Sequence, residues 1–208
     1  MQERARSCWR PGLASAGARS AAFSLIELML ALGLGSILVA ITAWHLTAGV
    51  ERYRAQGAVR YLAARLQAAR EESVARGVFV AVRFEGTGSS LRFTTYADGS
   101  RNGVSTQEIT DGIDRMLGAS GDLSGFSGVE FGVEPGQVGP DGIVLTSGDP
   151  IRFGTSRMAS FSPQGTSSSG SVYIRSRRGG EYVVRVFGDT AKIQPLRFDR
   201  RRGQWVPL

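Results

Sequence analysis

An α+β fold, one long N-terminal helix laid on antiparallel β-sheets, is what this 208-residue sequence predicts. Three observations carry that expectation. An apolar run from Phe23 to Trp44 holds a single charge, Glu27; helical spacing then continues to Arg76; and at Gly77 the apolar period changes from three or four residues to two. The length allows one ordinary domain plus an appendage. With 42% apolar and 21% charged residues, the chain is neither a disordered tail nor a multi-pass membrane protein. A single cysteine, Cys8, rules out a disulfide framework and a cysteine metal cluster, and a single histidine, His45, argues against a histidine-rich metal site or a Ser-His-Asp triad. The formal charge is +7, and every basic residue but Lys192 among the 25 is arginine, so basicity alone says little about partners.

Residues 1–22 form a short basic leader, with Arg4, Arg6, Arg10 and Arg19 against Glu3. The apolar run that follows, Phe23 to Trp44, spans about 33 Å as a helix, enough to cross a hydrocarbon core of about 30 Å, so residues 23–45 are expected to be a transmembrane half-helix. A secretory signal places its small-residue cleavage site after the apolar stretch. Here Ala21-Ala22 come before it, so a cut there keeps the membrane helix on the mature protein. Basic residues ahead of the helix place residues 1–22 in the cytoplasm and everything beyond residue 45 outside. Trp44 at the end of the run reads as an interfacial anchor, and His45 beside it as an interfacial residue without a partner in sequence.

The segment Phe23-Ser24-Leu25-Ile26-Glu27-Leu28 resembles the class III signal of type IV prepilins and type II secretion pseudopilins, with Ser24 where the family has threonine and Ala22 where it usually has glycine. The resemblance implies a prepilin peptidase cut between Ala22 and Phe23 and N-methylation of Phe23. It also implies a role for Glu27, whose carboxylate is costly inside lipid: neutralising the positive N-terminus of a neighbouring subunit during assembly.

Helical spacing continues beyond the apolar run. Ala55, Val59, Leu62, Leu66, Ala69 and Ser73 recur at three or four residues, whereas Arg52, Arg54, Arg60, Arg65 and Arg70 fall mostly elsewhere, so residues 46–76 form an amphipathic half-helix. Glu72 and Arg76 make an i,i+4 pair, and Gly77 is a C-terminal stop. Gly33, Gly35, Gly49 and Gly57 weaken the helix; close helix packing is the expected reason for them, with local softening in a filament as the alternative.

Residues 77–208 read as a β-rich head. Strands are expected at 78–84, 91–96, 129–133, 143–145, 151–153, 171–176, 181–187 and 191–198, separated by Gly, Pro and Asp-Gly turn signals. Residues 165–171, rich in Ser and Gly, are expected to be a flexible loop. Phe161-Ser162-Pro163-Gln164-Gly165-Thr166 with the strands Val172–Arg175 and Tyr182–Val186, and the block Tyr96–Val104, is similar to the GspH/FimT family of minor pseudopilins. That resemblance covers nearly the whole mature chain and implies a pilin-like α+β fold.

Three polar constellations bear on chemistry. Asp98, Ser100, Asn102 and Gly103 occupy the first, third, fifth and sixth places of a calcium-loop pattern. The twelfth place, however, is Ile109 with Glu108 one residue early, and Asp-Gly and Asn-Gly favour turns, so a structural turn and no metal is expected. Asp111, Asp114 and Arg115 read as a helix cap or solvated loop, since no nucleophile accompanies them. From residue 175 onward, nine basic residues face three acidic ones, with Tyr173, Tyr182, Phe198 and Trp205 interleaved. Such a surface can hold phosphates and stack bases, which makes Arg200, Arg201 and Arg202 candidate nucleic-acid contacts, although a solvated or partner-facing surface is the favoured expectation.

No phosphate loop, dinucleotide fingerprint or zinc-helix motif is present, so neither a catalytic site nor a cofactor is expected. The function implied by the resemblance is that of a minor pseudopilin in the periplasmic pseudopilus of a type II secretion system, a single-pass inner-membrane protein with its C-terminal head in the periplasm. Its partners would be the prepilin peptidase, the other pseudopilins or pilins of the filament, and the inner membrane. The alternative is a FimT-type minor pilin of a type IV pilus that binds DNA or primes assembly.

Overall fold

The computed structural model describes residues 24–145 and 148–208, and for residues 41–48 and Ser89 the backbone only. The chain divides into two compact units, residues 1–44 and 45–208. Helix α1, Leu25–Arg76, starts after Ser24, whose carbonyl accepts from the N–H groups of Glu27 and Leu28. In the first unit the large apolar side chains from Leu25 to Val39 are exposed. Among the described residues no helix is long and apolar enough to cross a membrane; the span expected over 23–45 extends past both ends of the side chains described there.

In the second unit α1 carries a buried stripe: Ala55, Val59, Leu62, Leu66, Ala69 and Ser73 are nearly or completely buried, and Ala58 joins them. This is the face the spacing predicts, and burying each leucine contributes about 1.5–3 kcal/mol. Gly77 ends the helix in the left-handed region, φ 67°, while its N–H still donates to Ser73 at 3.0 Å. Gly57 gives the Phe126 ring room to approach the helix, because a Cβ there would lie 3.2 Å from Phe126 Cε1. Close packing therefore explains Gly57. Gly33, Gly35 and Gly49 have nothing within 4 Å of such a Cβ among the described residues.

Two antiparallel sheets follow. The strands are β1 Val80–Glu85, β2 Arg92–Ala97, β3 Arg115–Met116, β4 Val129–Phe131, β5 Ile151–Arg152, β6 Met158–Phe161, β7 Gly170–Ser176, β8 Glu181–Phe187, β9 Lys192–Asp199 and β10 Gln204–Pro207, with a short helix α2, Thr106–Thr110, between β2 and β3. The first sheet runs β3-β2-β1-β6 and the second β10-β9-β8-β7-β4, with β5 also on β7. β4 and β5 share one edge of β7, pairing its C-terminal and N-terminal halves in turn. The segment between them leaves the sheet as an excursion.

The main core joins the helix stripe to the inward faces of both sheets. Val80, Val82 and Phe84 come from the first; Val172, Ile174 and Val184 come from the second. Aromatic rings connect these layers, Tyr61 to Phe93 at 5.9 Å and Phe84 to Phe153 stacked at 6.1 Å. The opposite face of the second sheet is also covered: Tyr173, Val183 and Leu196 pack with Val133 and Leu145 of the excursion and with Trp205 of β10. The Trp205 indole N–H donates to the Val138 carbonyl at 2.8 Å, which fastens the excursion to the last strand.

Three expectations are corrected. Residues 143–145 form no strand; Val144 makes one isolated bridge to Val138. The Ser/Gly loop is tied down by hydrogen bonds: Ser167 N–H donates to Gly188 at 2.7 Å, Ser168 N–H to Ser160 at 2.8 Å, and Ser169 Oγ accepts from Gly188 N–H. Serine hydroxyls and small side chains let this segment hydrogen-bond two neighbouring strands at close range. Finally, β3, β6, β10 and α2 have no counterpart among the strands and helices the sequence predicts.

Candidate functional site

The processing site expected at Ala22 and Phe23, the leader with Cys8, and the side chains of Trp44 and His45 lie outside the described residues. Glu27 is described. It sits exposed in the first turn of α1, the turn whose free N–H groups favour an acidic residue.

The loop after β2 is organised by two buried carboxylates. Asp98, 5% exposed, accepts from the N–H groups of Ser100 at 2.9 Å, Arg101 at 2.7 Å and Gly103 at 2.7 Å. Asp114, 3% exposed, accepts from Gly99 N–H at 3.1 Å and Ser105 N–H at 2.9 Å. Glu108 accepts from Ser100 Oγ and Asn102 Nδ2. One carboxylate oxygen from each of Asp98, Glu108 and Asp114 lies within 4.8 Å of the other two. Three backbone amides end on Asp98 and two on Asp114, so the block that contains Asp98, Ser100, Asn102 and Gly103 is a hydrogen-bonded turn. Asp114 is the exception to the sequence reading. It is a buried brace and not a solvated loop residue, whereas Asp111 does cap α2.

The C-terminal arginines border a cleft of about 640 Å³. One wall is Glu51 and Arg52 of α1; another is the turn between β7 and β8 with Arg178 and Glu181; the third is β9 and its turn, with Arg197, Asp199, Arg200 and Arg201. Arg178 pairs with Glu51 at 3.2 Å, Arg200 with Glu181 at 3.4 Å, and Arg202 with Asp199 at 3.9 Å. Two of the three candidate nucleic-acid contacts, Arg200 and Arg202, thus face the protein's own carboxylates. Arg201 is exposed, and its backbone N–H donates to Asp199.

Tyr182 lines the cleft, and burial pushes its hydroxyl pKa up against the lowering effect of Arg52 and Arg197. Sequence reasoning did not assign Glu51, Arg52 and Glu181 to this site. They belong to elements far apart in sequence, and no spacing rule connects them.

A model of the family described as type II transport protein GspH matches residues 58–190. A second, the prokaryotic N-terminal methylation motif, matches residues 17–43. No curated protein matches the chain, and no solved structure does. The first match spans more than half of the chain and covers the helix stripe from Ala58 onward, the first sheet, and β4, β5, β7 and β8 of the second. With a pilin-like α+β layout and a methylation motif ahead of it, the chain belongs to the GspH family and is a GspH/FimT-type pseudopilin.

Proposed function

We propose that this protein is a minor pseudopilin of a type II secretion system, a structural and non-catalytic subunit of the periplasmic pseudopilus. In this reading a prepilin peptidase cuts between Ala22 and Phe23, Phe23 is N-methylated, and the apolar part of α1 anchors the chain in the inner membrane with the head in the periplasm. Glu27 then offers its carboxylate to the N-terminus of a neighbouring subunit. The observation that carries the reading is the order of the two matched stretches: a methylation motif over 17–43, then a type II transport domain over 58–190, in one chain. Exposure of Glu27 on the first turn of α1 supports its availability to a neighbour. The DNA-binding alternative draws less support, because Arg200 and Arg202 are engaged by Glu181 and Asp199.

Deletion of the gene in its source cell tests this. Export of type II substrates into the medium should be lost while pilus-dependent twitching persists, with recovery by the wild-type gene and not by Glu27→Ala. Loss of twitching or of DNA uptake with secretion intact would favour the type IV pilus instead.

A further inference from the structure

The cleft between α1 and the two turns of the second sheet carries charges of both signs in a particular arrangement. Among the described residues, Arg52, Arg197 and Arg201 pair with no carboxylate, and all three are exposed at its rim. The Glu181 side chain is nine-tenths buried. One of its oxygens faces Arg200, and the other, Oε2, is buried without a hydrogen-bond partner. Glu51 Oε2 is likewise buried, but it has the Arg178 guanidinium as an ionic partner at 3.2 Å. A buried acceptor left without a donor costs about 1–3 kcal/mol, more for a charged group, and calls for an explanation.

We infer that this cleft receives a peptide segment of a neighbouring subunit in which an acidic side chain stands beside a basic one. The acidic group meets the spare guanidiniums of Arg52, Arg197 and Arg201, with the Tyr182 hydroxyl held in its protonated, donating form. The basic group, or a backbone N–H, donates to the Glu181 carboxylate, which its contact with Arg200 at 3.4 Å leaves short of donors. A phosphodiester backbone satisfies only half of this arrangement. It offers acceptors to the arginines and nothing to Glu181, and Glu51, Glu181 and Asp199 repel it. A polycationic segment fails in the opposite sense. The volume, about 640 Å³, accommodates a short stretch of chain and not a folded domain. The inference rests on the proposed function only in requiring a neighbouring subunit, and a binding measurement needs no secretion phenotype, so the two ideas fail separately.

The test uses the full chain in detergent micelles at about 150 mM salt and three labelled probes: a blocked hexapeptide of alternating Glu and Lys, an all-Glu hexapeptide, and an oligothymidylate of the same length. The alternating peptide should bind about tenfold tighter than either of the others, the scale of one charge-assisted hydrogen bond. Arg197→Gln combined with Arg201→Gln should weaken it by about tenfold or more, with the melting temperature unchanged because both side chains are exposed. Glu181→Gln should erase its advantage over the all-Glu peptide. Equal or tighter binding of the all-Glu peptide or the oligothymidylate overturns the inference, as do insensitivity to these variants and the absence of saturable binding by any probe.

Discussion

Asp98 and Asp114 grip a single loop from its two sides. The first takes the N–H groups of Ser100, Arg101 and Gly103, the second those of Gly99 and Ser105, so five amides of a seven-residue stretch end on two carboxylates. The arrangement also holds Arg101, a non-glycine residue, at φ 66°. A side chain tolerates that conformation only where its surroundings enforce it.

Stability should therefore depend on both acids. Asp98→Ala is expected to cost about 3 kcal/mol, since it leaves three amides without their charged acceptor. Asp114→Ala should cost a similar amount, and the double variant less than the sum, because the two residues share one loop. Urea melts of the full chain measure all three. Millimolar calcium should leave every midpoint in place; a calcium-dependent rise in the wild type would mean that the carboxylates serve a cation after all.

Processing gives a second expectation. Mature protein extracted from membranes should begin at Phe23, methylated, and lack Cys8, as intact-mass analysis would show. A start at Met1, or a cut after the apolar run near residues 43–48, contradicts it. Glu27→Ala should leave membrane insertion intact or improve it, because a carboxylate is costly in lipid. Cross-linking into the filament should fall, and undiminished cross-linking would remove Glu27 from assembly.

Tyr173 sets a third expectation, at alkaline pH. Burial, with a smaller contribution from Asp141, pushes its hydroxyl from 10.0 up to about 12. The folded state therefore holds this proton more tightly than the unfolded chain does. The stabilisation is fully present below pH 10 and lost as pH rises from there through about 12. Tyr182 is raised in the same direction, also by burial. Tyr173→Phe should flatten the decline of the denaturation midpoint above pH 10, and an unchanged decline would exclude Tyr173 as its source.

A fourth expectation concerns DNA. With Arg200 and Arg202 turned toward Glu181 and Asp199, duplex binding should be weaker than about 1 µM at physiological salt, with a log–log salt slope of about −2. Replacing Arg200, Arg201 and Arg202 together by Gln should change that slope by about one unit and not three. Sub-micromolar binding lost in the triple variant would restore the DNA-uptake reading.

What the sequence disclosed follows from where the relevant physics is local. The stripe from Ala55 to Ser73 repeats at the helical period, and β1, β2, β7, β8 and β9 are long enough for β-branched and aromatic residues to declare them. β6 is only four residues, Met158–Phe161, and owes its conformation to the adjacent β1. β10 sits in a basic tail that reads as solvated, yet Trp205 reaches across to Val138. Asp114 looked like a surface acid because its amide partners lie before α2, and the cleft's acidic lining was invisible because Glu51 and Glu181 meet only after the chain has folded. Residues 143–145 carry a strand-like composition, but they belong to the excursion, where Leu145 packs on the face of the sheet and Val144 bridges only to Val138.

The divided edge of β7 has a colloidal consequence. Among the described residues, every sheet boundary is a short strand: β3 and β5 have two residues each, β4 three, and β6 and β10 four. Pro207 also removes an amide donor from β10. A long bare edge would invite strand-by-strand accretion between copies. Edges this short offer a second copy few contiguous backbone donors and acceptors, which disfavours such accretion.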